Sequence, residues 1–92
     1  MNEFAQLIST LLASRTQAHI FHWQVEGPGS FAAHKALNDY YDEIVDHVDG
    51  LVESYQGRYG ILRGYTSAAS FKEDSQFINY FEALAKYVET IR

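Results

Sequence analysis

The stretch HWQVEGPGSFAAH, residues 22–34, carries a histidine at each end, His22 and His34, on either side of a Gly27-Pro28-Gly29 turn. Neutral imidazole is the commonest metal ligand, and a turn that folds one helix back along the next sets two such rings opposite each other. Further on, Asp42, Asp46, Asp49 and Glu53 follow one another at steps of four, three and four. On a helix that spacing makes one acidic stripe, whose like charges repel weakly unless water or a cation intervenes. Imidazoles and carboxylates together form a nitrogen and oxygen donor set suited to iron, manganese or zinc. Taken singly, each feature has a blander explanation: a half-buried histidine, or a solvated helix face.

Helices must position these residues. Phe4, Ile8, Leu11, Arg15, Ala18 and His22 recur at steps of three or four, with Leu7 and Leu12 widening the stripe, and predict a first helix over residues 2–25. The Gly-Pro-Gly turn ends it. A second helix is expected from an N-cap at Ser30 to a stop at Gly57, with Leu37, Tyr41, Ile44, Val48, Leu51, Val52 and Tyr55 as its apolar stripe. Gly50 interrupts it, as a close approach or a tolerated weak point. Residues 57–69 hold three glycines and two arginines and read as a long connection, with one short helical turn near Ile61. Ser70-Phe71-Lys72-Glu73 fits a capping box for a third helix, whose core face is Phe77, Phe81, Leu84, Val88 and Ile91. The fold class is therefore all-α, a helical hairpin plus a third helix, in a single domain over residues 1–92.

Distance then decides how the ligands meet. On the second helix Asp49 and Glu53 stand about 6 Å apart along the axis and can share an ion, whereas His34 and Asp49 are about 22 Å apart. One chain cannot bring all four residues together. Two copies of the second helix packed antiparallel about a two-fold axis near Asp42 would bring His34 and His22 of one subunit beside Asp49 and Glu53 of the other. A homodimer with two symmetric sites follows. A partner subunit is also expected on general grounds, because 92 residues bury little surface alone and 47% of them are hydrophobic.

Composition excludes several classes. With no cysteine there is neither a disulfide framework nor a thiolate metal site, which leans towards a cytoplasmic location. Met1-Asn2-Glu3 is not a basic leader and no apolar run reaches membrane-spanning length, so the chain is expected to be soluble and untargeted. The net charge is −5, and the seven lysines and arginines are scattered, which argues against binding a phosphate backbone.

The set His22-Trp23-Gln24-Val25-Glu26-Gly27-Pro28, His34, Asp46-His47-Val48-Asp49 and Glu53 resembles the Dps proteins, mini-ferritins of the ferritin-like superfamily. The resemblance runs from about Gln17 to Gly60. It implies an iron site between two-fold related subunits, with the family's two histidines falling on His22 and His34 and its later aspartate and glutamate on Asp49 and Glu53. It also implies oxidation of Fe(II) by peroxide or oxygen, a ferroxidase-type oxidoreductase activity, with Trp23 beside the metal as an oxidisable group.

Three departures accompany it. Asn38 stands where the family has an aspartate and offers a neutral oxygen, a weaker contributor. The family subunit is a four-helix bundle closing into a hollow shell, whereas this chain has room for three helices. It is then a short or truncated form, a truncated four-helix bundle or one completed by dimerisation, with a larger homo-oligomer as an extension. The Lys-rich tail with which some members condense DNA is absent, so DNA binding is not expected.

The Glu-x-x-His pairs of larger di-iron bundles are missing too, since Thr16, His19, Phe31 and Ile44 precede the four histidines by three residues. The alternatives keep the fold and change the chemistry: a non-catalytic helical oligomerisation or structural protein, or a redox-inactive Zn or Mn binder. His19 and His47 are given no role.

Overall fold

The computed structural model describes residues 2–67, 71–73 and 77–91, and among them are three α-helices: α1 (Glu3–Gln24), α2 (Ser30–Tyr59) and α3 (Phe77–Ile91). The fold is all-α. The Asn2 side-chain oxygen accepts from the N–H groups of Phe4 and Ala5 at 2.9 and 3.1 Å, satisfying two of the donors that a helix start leaves open. Val25, in extended conformation, ends α1.

Gly27 and Gly29 flank Pro28 with φ of 85° and 81°, left-handed conformations that a Cβ disfavours. They reverse the chain within five residues, closed by a hydrogen bond from Ser30 N–H to the Gly27 carbonyl at 3.1 Å. The N-cap of α2 is Gly29 and not Ser30, which already lies in the helix. The stop is Gly60, φ 95°, and not Gly57, which the helix runs through. The resulting 30-residue rod is about 45 Å long at 1.5 Å per residue, close to the longest extent of the molecule, 47 Å.

Two apolar clusters hold the helices together. At one end Ala5, Leu7, Ile8 and Leu11 of α1 meet Val48 of α2 and Leu62, with Leu84, Val88 and Ile91 of α3 packed on them. At the hairpin end Ala18 and Phe21 meet Leu37, with Phe77, Tyr80 and Phe81 alongside. Both α2 and α3 therefore run antiparallel to α1. Between the clusters lies the fully buried Ser14, whose hydroxyl reaches the Leu11 carbonyl and the Tyr40 hydroxyl, each at 2.6 Å.

The buried side of α1 differs from the stripe its apolar spacing predicts. Arg15 is exposed and Leu12 is 45% exposed, while Ser9, Ser14, Gln17 and Phe21 are buried. Ser14 meets Tyr40 of α2 and Phe21 packs against Leu37 and α3, while for Ser9 and Gln17 the reason is the connection after α2, which climbs back along α1. Leu62 is buried, Gly64 passes beside Asn2 and Ala5, Thr66 N–H donates to Ser9 Oγ at 2.9 Å, and Gln17 holds both backbone groups of Lys72 at 2.7 and 2.9 Å.

Residues 60–67 contain no helical turn at Ile61. The capping-box expectation also fails where it can be seen: Phe71, Lys72 and Glu73 are not helical, because Lys72 is tied to Gln17, and Ser70 lies outside the described residues. On α2, Leu51 is 41% exposed.

Candidate metal-binding site

The hairpin brings His22 and His34 into contact, with ring centroids 3.6 Å apart and planes inclined by 37°. His22 Nδ1 lies 3.0 Å from the His34 backbone carbonyl. A carbonyl oxygen only accepts, so His22 donates through Nδ1, an arrangement that in the neutral ring leaves the lone pair on Nε2. Metal-ligating histidines are oriented by this kind of hydrogen bond. His34 is exposed, and no hydrogen-bond partner occupies its ring among the described residues.

Tyr41, seven residues after His34 on α2, connects the neighbouring groups. Its ring stands edge-on to His22 at 5.4 Å and stacks on His19 at 4.2 Å, and His19 in turn lies 4.2 Å from Trp23. The Tyr41 hydroxyl donates to Asn38 Oδ1 at 2.7 Å, and Asn38 Nδ2 donates to Asp42 Oδ2 at 3.3 Å. The amide orientation follows from chemistry: the carboxylate of Asp42 only accepts, so Nδ2 faces it and Oδ1 faces Tyr41. Trp23 is 68% exposed.

Asp49 and Glu53 lie far along the rod from these rings. Both are exposed and have no ion pair or hydrogen bond among the described residues. Among those residues no three of His, Asp and Glu converge closely enough within one chain to hold an ion. The structure thus brings His22 and His34 together, places Asn38 and Trp23 near them, and leaves Asp49 and Glu53 apart.

His19 and Tyr41 carry more of the local geometry than their sequence context suggests. Tyr41 reads as one more residue of the apolar stripe, and only its register seven residues from His34 hints that both share a face. His19 stands one turn before His22, the spacing that lets them share a face of α1.

The surroundings are asymmetric. Ser14, Ala18 and Phe21 face α3 and the base of α2, whereas Leu12 and Trp23 stand about 160° to 180° round α1 from Phe21. On that open side Leu12 and Trp23 are 45% and 68% exposed, and Phe31, at the start of α2, is 84% exposed. No helix among the described residues is long and apolar enough to cross a membrane.

A protein-family model matches residues 22–92, from the first of the paired histidines onward. No curated protein and no solved structure matches the chain. With residues 22–92 of its 92 matched, the chain belongs to the family of unknown function DUF5856.

Proposed function

We propose that the protein is a Dps-like, homodimeric iron-binding protein that oxidises Fe(II) with peroxide or oxygen in the cytoplasm. Iron is the substrate, held between subunits by His22 and His34 of one chain and Asp49 and Glu53 of the other. The observation that carries this reading is the His22 ring, whose Nδ1–H on the His34 carbonyl leaves Nε2 as a lone-pair donor beside the second imidazole. Two neutral nitrogens and two carboxylate oxygens fit a ferrous ion and leave positions for an oxidant.

The two halves of that donor set are about 22 Å apart on one rigid helix. Antiparallel pairing of two α2 helices near Asp42 would bring them together. Reduction of one peroxide to two waters takes two protons and two electrons, one electron from each of two ferrous ions. The protein supplies binding and orientation, and the redox chemistry is that of iron.

Anaerobic loading with Fe(II) followed by peroxide, read by the absorbance of Fe(III), tests the reading. The wild type should oxidise iron rapidly and the His22→Ala/His34→Ala protein should not. Equal traces matching protein-free iron would overturn it.

One observation favours a metal-free structural role instead. Asn38 is held by Tyr41 and Asp42 with no ion present. Fe(II) should raise the melting temperature of an iron-binding protein and leave that of a structural one unchanged. Zn(II) or Mn(II) stabilisation without turnover would mark a redox-inactive site.

A further inference from the structure

We infer that the end of the molecule opposite the paired histidines carries a second site, an aromatic groove beside Arg58 that binds a planar aromatic molecule bearing one carboxylate. The groove lies about 36 Å along α2 from His34 and stands independently of the metal-binding reading.

The length of α2 creates it. Leu51, Ser54, Tyr55, Arg58 and Tyr59 are spaced to share one helical face, and they do so because the helix runs through Gly57 and on to Tyr59. Phe4, in the first turn of α1, meets them there. These six residues line an open groove of about 440 Å³. Small-molecule sites range from about 300 to 1,000 Å³.

Its wall is a row of rings. Phe4 and Tyr55 stack with centroids 4.9 Å apart and planes inclined by 8°, and Tyr59 continues the row 5.0 Å from Tyr55. Asn2 Nδ2 donates to the Tyr55 hydroxyl at 3.4 Å and helps to hold the middle ring. Phe4 and Tyr55 also pack on the core, whereas Tyr59 and Leu51 belong to neither apolar cluster and are 67% and 41% exposed. A flat aromatic body can cover that apolar surface and gain ring contacts besides.

Arg58 decides the charge of the ligand. Its guanidinium carbon lies 5.6 Å from the centroid of the Tyr59 ring, a cation–π contact that holds the fork at the groove. Among the described residues no carboxylate pairs with Arg58, and no hydrogen bond engages the Ser54 hydroxyl one turn before it. A planar fork of this kind matches a carboxylate through two parallel hydrogen bonds. Asp49 and Glu53 stand about 160° round α2 from Leu51, so the acidic stripe does not face the ligand. One cation balances one negative charge, and the last carbonyls of α2, the negative end of its dipole, oppose a second. That selects a carboxylate over the dianionic phosphate of a nucleotide.

The test titrates the full-length chain with 2-naphthoate, 2-naphthyl phosphate, cyclohexanecarboxylate and the neutral 2-naphthalenemethanol, read by backbone amide shifts in NMR spectra. Wild type is compared with Arg58→Gln, Tyr59→Leu and His22→Ala/His34→Ala, each shown to be folded by circular dichroism. We expect saturable binding of 2-naphthoate, with the largest shifts at Phe4, Ser54, Tyr55, Arg58 and Tyr59. Binding should weaken about tenfold for the neutral alcohol and in Arg58→Gln, where the charge-assisted pair is lost. It should weaken about threefold for cyclohexanecarboxylate and in Tyr59→Leu, where ring contacts are lost. The histidine double variant should bind 2-naphthoate as the wild type does.

Equal affinity for the neutral alcohol, or unchanged binding in Arg58→Gln, would overturn Arg58 as the anchor of the ligand. Tighter binding of the phosphate would overturn the choice of a carboxylate and indicate a nucleotide-like ligand. Shifts centred elsewhere, loss of binding in the histidine double variant, or no saturable binding of 2-naphthoate would overturn the site itself. None of these outcomes bears on the iron reading, whose failure would equally leave this groove untouched.

Discussion

At the scale of single residues, polar groups inside the molecule explain as much as the apolar ones. Ser14 and Tyr40 satisfy each other across the α1–α2 contact, and nearby Tyr80 packs edge-on to Phe21 at 5.7 Å. Burial raises the Tyr40 phenol above its ordinary value, with the Ser14 hydrogen bond pulling the other way. Burial first, and Tyr40 second, push Tyr80 up to about 12. A phenol whose folded value is raised keeps its proton to higher pH in the folded state than in the unfolded chain. Its contribution to stability is therefore full below about pH 10, the unfolded value, and is lost as pH rises towards the folded value. A phenolate absorbance titration of the folded protein should show a late step near pH 12 that disappears in Tyr80→Phe. Persistence of that step in the variant would show that it belongs to another residue.

At the scale of elements, the informative one is the connection between α2 and α3. Read from composition alone it is a loop, but Ser9 and Gln17 of α1 bind its backbone and make it a third neighbour of that helix. Gln17 is 2% exposed and makes two hydrogen bonds to Lys72, each contributing about 1 kcal/mol. Gln17→Ala should lower stability by about 2 kcal/mol in urea unfolding and accelerate amide exchange at Lys72. An unchanged exchange rate there would mean that the segment is held by something other than Gln17. The same element accounts for the misreading of α1 at Ser9 and Gln17. Spacing of apolar residues detects faces that meet apolar partners, and a face buried through serine and glutamine against peptide groups leaves no apolar trace.

At the scale of the whole molecule, a single chain leaves its donors in two places, and the proposed site requires a second copy. Complementation addresses that arrangement directly. Protein carrying His34→Ala and protein carrying Glu53→Ala each lack a donor at both sites of their own homodimers. In a mixed dimer the two lesions fall in one site and the other is intact. Equal mixing with free exchange of subunits should restore about a quarter of wild-type Fe(II) binding, since about half the dimers are mixed and each has one good site. No recovery after demonstrated exchange would show that His34 and Glu53 do not meet across a two-fold axis.

Much of this was legible beforehand, for reasons visible in particular residues. The three helices, the turn at Gly27-Pro28-Gly29 and the meeting of His22 with His34 follow from local rules: apolar periodicity, the backbone freedom of glycine, and a rigid rise per residue that carries both histidines to the hairpin end. The separation of Asp49 and Glu53 from those rings follows from the same rise. What only the tertiary structure decided is how groups distant in sequence share their hydrogen bonds and surfaces. Lys72 meets Gln17, Ser14 meets Tyr40, and His19 comes to lie between Trp23 and Tyr41 because α2 and the climbing connection pack onto particular sides of α1. Such contacts join elements through single polar or aromatic groups, and no periodic pattern along the chain encodes them.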